Sequence, residues 1–143
     1  MKNKNLCTAV SWTAVITCMV IIFCLSHQTA GDSQSLSDRF AFLLKLPFGS
    51  FIVRKGAHFL EFAGLCTLVC NALYRSFGYF RPILSFARTA AYAASDEFHQ
   101  LFIEGRACRI FDWFVDCSGT LAALLVLYII AFIIRKKNSR SLR

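Results

Sequence analysis

Residues 6–25 read LCTAVSWTAVITCMVIIFCL, twenty positions without a charged side chain, preceded by Lys2 and Lys4. At 1.5 Å per residue, a helix of that length covers about 30 Å, the thickness of a bilayer's hydrocarbon core. A secretory signal has a shorter apolar region followed by small residues at a cleavage site, and Gln28-Thr29-Ala30 fits that pattern poorly. The stretch therefore predicts a retained membrane span. Three further spans follow by the same reading, over residues 57–77, 82–103 and 113–134. Gly78 closes the second, Pro82 suits the first turn of the third, and Arg135-Lys136-Lys137 closes the fourth, leaving a basic tail over 135–143.

Composition agrees. The 143 residues are 57% hydrophobic with 15 phenylalanines, 17% charged residues and a mean hydropathy of +0.54. A soluble fold this apolar would carry large sticky patches. The expected fold is an all-α polytopic membrane protein of one domain, four transmembrane helices forming an antiparallel bundle with short turns. Residues 26–50 are polar and punctuated by Gly31, Pro47 and Gly49. Within them, Ser37-Asp38 is expected to cap a short helix over 39–46, too short to span and so placed along the bilayer interface.

The net charge of +8 is distributed by helix end. One set of ends collects Lys2, Lys4, Arg75, Arg81, Arg88, Arg135, Lys136, Lys137, Arg140 and Arg143, with no acid. The other collects six basic residues and all eight acids, for a net −2. Basic loops stay cytoplasmic, so both termini are expected inside, in the cell membrane, with the acidic ends extracytoplasmic. The basic residues form no stripe with interleaved aromatics, which excludes nucleic acid as the expected partner. The seven cysteines (7, 18, 24, 66, 70, 108 and 117) include no CxxC and fall mostly in apolar runs, where Cys acts as a small hydrophobe. One disulfide among Cys24, Cys108 and Cys117 stays open.

Three spans carry polar residues at their outer ends. Arg54, His58 and Glu61 fall within about 60° around a helix, and Asp96, His99 and Gln100 within about 100°, with Glu97 flanking them. Asp112 and Asp116 lie one turn apart. Ionisable groups near hydrocarbon are costly unless paired or facing a wet cavity, which makes them functional candidates. Glu61, about 10 Å along the helix from Arg54, is expected to have a partner, His58 or Arg106. A structural salt-bridge network is the competing reading. His58, Glu61, Asp96, His99 and Asp112 have the ligand types of a divalent-metal site without its diagnostic spacing, so no metal or other cofactor is assigned.

Residues 54–62, RKGAHFLEF, and 96–106, DEFHQLFIEGR, resemble the two signatures of the VanZ-like membrane proteins, and Asp112, Asp116 and Gly119 continue the pattern in order. Phe62 stands where a Tyr is common, and Glu104 where a Pro usually precedes Gly105-Arg106. The resemblance implies a link to the cell envelope and to glycopeptide (teicoplanin-type) resistance. Together with the outer polar ends, it suggests a protein that binds or modifies an anionic lipid or cell-wall precursor headgroup. The alternative is a non-catalytic membrane factor or scaffold. Arg54, Arg106 and Arg109 would clamp phosphate or carboxylate, with Glu97, His99, Gln100 and Asp116 completing the binding set. His58 with Glu61, or Asp96 with Asp112, would serve as acid and base if a bond is broken. The arginines are expected to be partly neutralised by Asp96 and Asp112. No nucleophile elbow, P-loop or HExxH is present.

Overall fold

The computed structural model describes residues 2–43 and 49–141, all of whose regular structure is helical: α1 (Lys2–Ser26), α2 (Ala30–Leu43), α3 (Gly49–Phe77), α4 (Pro82–Gln100) and α5 (Ile110–Ser141). α1, α3 and α5 are long and apolar enough to cross a membrane. α4, expected as the third of four spans, has 19 residues, about 28 Å of helix. It carries Arg88, Asp96 and Glu97, so its composition alone does not mark it as a span.

α1, α3 and α5 outrun their apolar stretches, because helical backbone continues past the hydrocarbon-length run. α3 starts at Gly49 rather than at residue 57, so Arg54 and Lys55 lie inside the helix rather than before it. α4 stops at Gln100 and a turn occupies the following residues, three short of the expected end at 103. The short helix expected over 39–46 is instead the end of α2, which begins nine residues earlier; residues 44–46 lie outside the described chain. The cap is Thr29: its hydroxyl accepts the Asp32 backbone N–H at 3.2 Å and donates to the Asp32 carboxylate at 2.8 Å. Ser37, the expected cap, is buried mid-helix and donates back to the Ser33 carbonyl. The expected punctuation after α3 is present: Gly78 at φ 81° donates to the Tyr74 carbonyl, and Pro82 opens α4.

α3 touches each of the other four helices. Its Asn71 meets Ser11 of α1, and its Arg75 carbonyl accepts from Thr8 nearly a turn earlier in α1, so these two helices run in opposite directions. The apolar core of Val15, Ile22, Phe62, Leu65, Val69, Leu73 and Ala93 fills the space between α1, α3 and α4. Phe62 is fully buried there, which accounts for a ring without a hydroxyl at that position. Tyr92 of α4 donates to the Met19 carbonyl of α1, and Trp113 of α5 to the Ala90 carbonyl of α4. Large apolar side chains from Leu6 to Ile134 cover the outside, as lipid-facing surfaces do. All seven cysteines are free thiols, Cys117 buried and Cys24 and Cys108 exposed.

Candidate functional site

α3 and α5 run side by side in the same direction from their N-termini, and Gly119 explains how closely. A Cβ added there would lie 2.2 Å from the Phe59 carbonyl oxygen, so only glycine permits this approach. Along the same seam the Lys55 ammonium meets the Asp112 carboxylate at 2.5 Å, and His58 Nδ1 lies 3.5 Å from Asp116 Oδ1. Asp116 is fully buried. Neither its oxygens nor His58 Nδ1 forms a hydrogen bond among the described residues, so the contact is electrostatic. It turns Nδ1 of the ring toward the buried Asp116.

The C-terminal ends of α1 and α4 close the other side of this polar end. The Ser26 hydroxyl donates to Asp96 Oδ2 at 2.7 Å and the Gln100 amide to the same oxygen at 3.2 Å. His99 faces His27, with ring nitrogens 3.1 Å apart and the rings stacked beside Phe23. Glu97 accepts the Arg109 backbone N–H at 3.1 Å, tying the turn after α4 back onto that helix. One oxygen each of Asp96 and Glu97 is buried without a partner among the described residues.

Two adjoining cavities open at this end. The polar one, about 160 Å³, is lined by Arg54, Lys55, His58, Gln100, Arg106, Arg109 and Asp112, with Phe51 and Gly105. The amphipathic one, about 200 Å³, has Gln28, Ser33, Glu61 and the same Arg54, His58 and Arg106 against Leu25, Leu36, Phe40 and Val53. Arg54, His58 and Arg106 therefore form the wall between them. Arg106 is oriented by backbone: its Nε donates to the Gln28 carbonyl at 2.9 Å, leaving the rest of the fork to the cavities. Burial and then the nearby Arg54 guanidinium pull the Arg106 pKa below its ordinary value, against weaker pulls upward from Asp96, Glu97 and Glu61.

Of the candidates read from sequence, Arg54, His58, Glu61, Gln100, Arg106, Arg109 and Asp112 line a cavity. Asp96, Glu97, His99 and Asp116 line neither and sit behind the wall, bonded to or facing other helices. The expected neutralisation of arginine by Asp96 and Asp112 is not what these carboxylates do. Asp96 takes Ser26 and Gln100, and Asp112 takes Lys55, because these groups are the ones the helix rotations bring into reach. Glu61 shares its cavity with His58 and Arg106 but forms no hydrogen bond or ion pair among the described residues. Lys55, Ser26 and Gln28 were missed. Lys55 stands three residues before His58, about 60° from it around the helix, and that spacing was the available signal. Among the described residues no group of three or more His, Cys, Asp or Glu is arranged to hold a metal ion.

Two guanidiniums share a cavity wall without a bonded carboxylate among the described residues, a lysine and a third arginine stand beside them, and an imidazole is backed by a buried acid. That set favours an oxyanion with several oxygens, since a guanidinium fork binds two at once. The family model described as VanZ/LLP1 matches residues 11–132. No curated protein and no solved structure matches the chain.

Proposed function

This chain belongs to the VanZ/LLP1 family, and from that premise we propose that it binds, or modifies, an anionic lipid or cell-wall precursor headgroup at the outer face of the cell membrane. In this reading α4 is the third of four spans, its two buried acids turned inward, and α2 lies along the interface. The four spans form a bundle with both termini cytoplasmic, an orientation supported by the collection of every acid at the other ends. The observation that carries the proposal is the shared wall. Arg54 and Arg106 face both cavities and, among the described residues, are bonded to no carboxylate. Two cations held together near hydrocarbon are costly unless an anion arrives to pair with them.

His58 shares the wall with the two arginines and is the acid–base group of this site if a bond is broken. The resemblance to VanZ-like proteins connects the activity to teicoplanin tolerance. A scaffold role is the second reading, favoured by one observation: Ser26–Asp96 and Lys55–Asp112 each tie two helices together.

The test separates fork from charge. Arg106 holds the Gln28 carbonyl through Nε while presenting its terminal nitrogens, and a lysine has one nitrogen for both tasks. Arg106→Lys is expected to impair teicoplanin tolerance nearly as much as Arg106→Ala in a host that depends on this protein, at unchanged membrane abundance. Full tolerance of the lysine variant at normal abundance would remove the oriented-site account.

A further inference from the structure

The two cavities differ in chemistry although they share a wall, and the difference says how a ligand lies across them. Around the polar cavity Arg54, Lys55, Arg106 and Arg109 face one acid, Asp112, which Lys55 already neutralises. The amphipathic cavity has Arg54 and Arg106 against an unbonded Glu61. Phosphate oxygens placed there would meet a carboxylate at close range, so the charged head belongs in the polar cavity. The polar cavity is small, about 160 Å³, and its lining is mostly cationic, which suits a phosphate or diphosphate better than a bulky sugar–peptide head.

The amphipathic cavity points away from a soluble ligand. Leu25 from α1, Leu36 and Phe40 from α2, and Val53 from α3 form its apolar side. Leu36 and Phe40 are 43% and 49% exposed, so this apolar wall continues onto the open surface rather than ending in a closed core. A free anion gains nothing from such a wall, whereas a hydrocarbon chain leaving the head toward the bilayer buries methylenes along it.

We infer that the ligand is a phosphate-headed lipid lying across both cavities, its head against Arg54, Arg106 and Lys55 and the start of its chain between α2 and α3 along Leu36, Phe40 and Val53. This rests on the headgroup reading above and goes further, because it names the head as small and makes the chain part of recognition. α2 is then the side of the site that tells a lipid from free phosphate.

The experiment uses the full chain in a neutral detergent and measures equilibrium affinity for dioctanoyl phosphatidic acid and for glycerol 3-phosphate. Dioctanoyl phosphatidylcholine serves as the control for partition into the micelle. The lipid phosphate is expected to bind at least tenfold more tightly than glycerol 3-phosphate after that correction. Ala57→Trp, which fills the amphipathic cavity, and Leu36→Asn, at an exposed position where folding is spared, should each shrink the ratio below threefold while leaving glycerol 3-phosphate unchanged. Arg54→Gln should weaken both ligands. Equal affinity for the two, with both still dependent on Arg54, would overturn the lipid inference and leave the headgroup reading standing. Retention of the full ratio in both cavity variants would also overturn it. Binding of neither phosphate compound would remove the headgroup reading itself.

Discussion

Replacing Gly119 by alanine tests the seam on which the site is built. The new Cβ would meet three backbone atoms of Phe59, the carbonyl oxygen at 2.2 Å, the carbonyl carbon at 3.0 Å and Cα at 3.1 Å. Ordinary contact begins near 3.4 Å, and backbone cannot rotate away as a side chain can. The α3 and α5 axes must therefore separate locally by about an ångström, in line with the use of small residues where membrane helices approach closely. Overpacking of this kind costs about 1–3 kcal/mol. For a chain of this length that corresponds to a fall in Tm of roughly 3–10 °C. Asp116 lies one turn from Gly119, so the same separation would carry its carboxylate beyond 4 Å from His58, from the present 3.5 Å.

Gly64 of α3, the other helix of the seam, provides the control, since a Cβ there meets nothing within 4 Å. Gly64→Ala should leave stability unchanged or raise it by about 0.4–1 kcal/mol, because alanine stiffens the unfolded chain and favours helix. The assay is thermal unfolding of the two variants and the parent in one detergent, followed by helical circular dichroism. A Gly119→Ala variant that melts within about 1 °C of Gly64→Ala would refute the close-packed seam.

Two further outcomes are expected. A double-mutant cycle on Lys55→Met and Asp112→Asn should give a coupling of about 1–3 kcal/mol, because both side chains are less than one-fifth exposed and each single change strands the other charge; a coupling below about 0.3 kcal/mol would class the pair as an ordinary surface contact. Reporter fusions at the two termini should both read cytoplasmic and one at residue 105 extracytoplasmic, while a cytoplasmic signal at 105 would invert the proposed orientation.

The apolar runs of α1 and α5 were readable because lipid-facing helices need no partner to be recognised, and Gly78 and Pro82 marked the α3–α4 turn because their backbone restrictions are local. The start of α2 was not readable in the same way. Its cap is a Thr29–Asp32 pair inside a polar stretch, and Gly31, which looks like a breaker, sits in the helix's first turn. The three cavity-wall residues Arg54, His58 and Arg106 were all identifiable from charge and helical arc. The contacts that hold the site together were not. Ser26–Asp96 and Lys55–Asp112 depend on helix rotation and depth, and Arg106 is held by a backbone carbonyl, a group every residue offers. Gly119 belonged to the recognised pattern, yet its reason lies in the Phe59 backbone of another helix.

The central claim is that Arg54 and Arg106 together hold an anionic headgroup, and direct lipid capture addresses it without reference to any phenotype. The protein is placed in phosphatidylcholine nanodiscs, titrated with phosphatidic acid, and bound lipid is counted by native mass spectrometry for the parent, Arg54→Gln, Arg106→Gln and the double variant. The account predicts a saturable phosphatidic acid adduct on the parent, at least tenfold weaker in each single variant and lost in the double variant, with phosphatidylcholine adducts unchanged throughout. Equal phosphatidic acid capture by the parent and the folded double variant would contradict it.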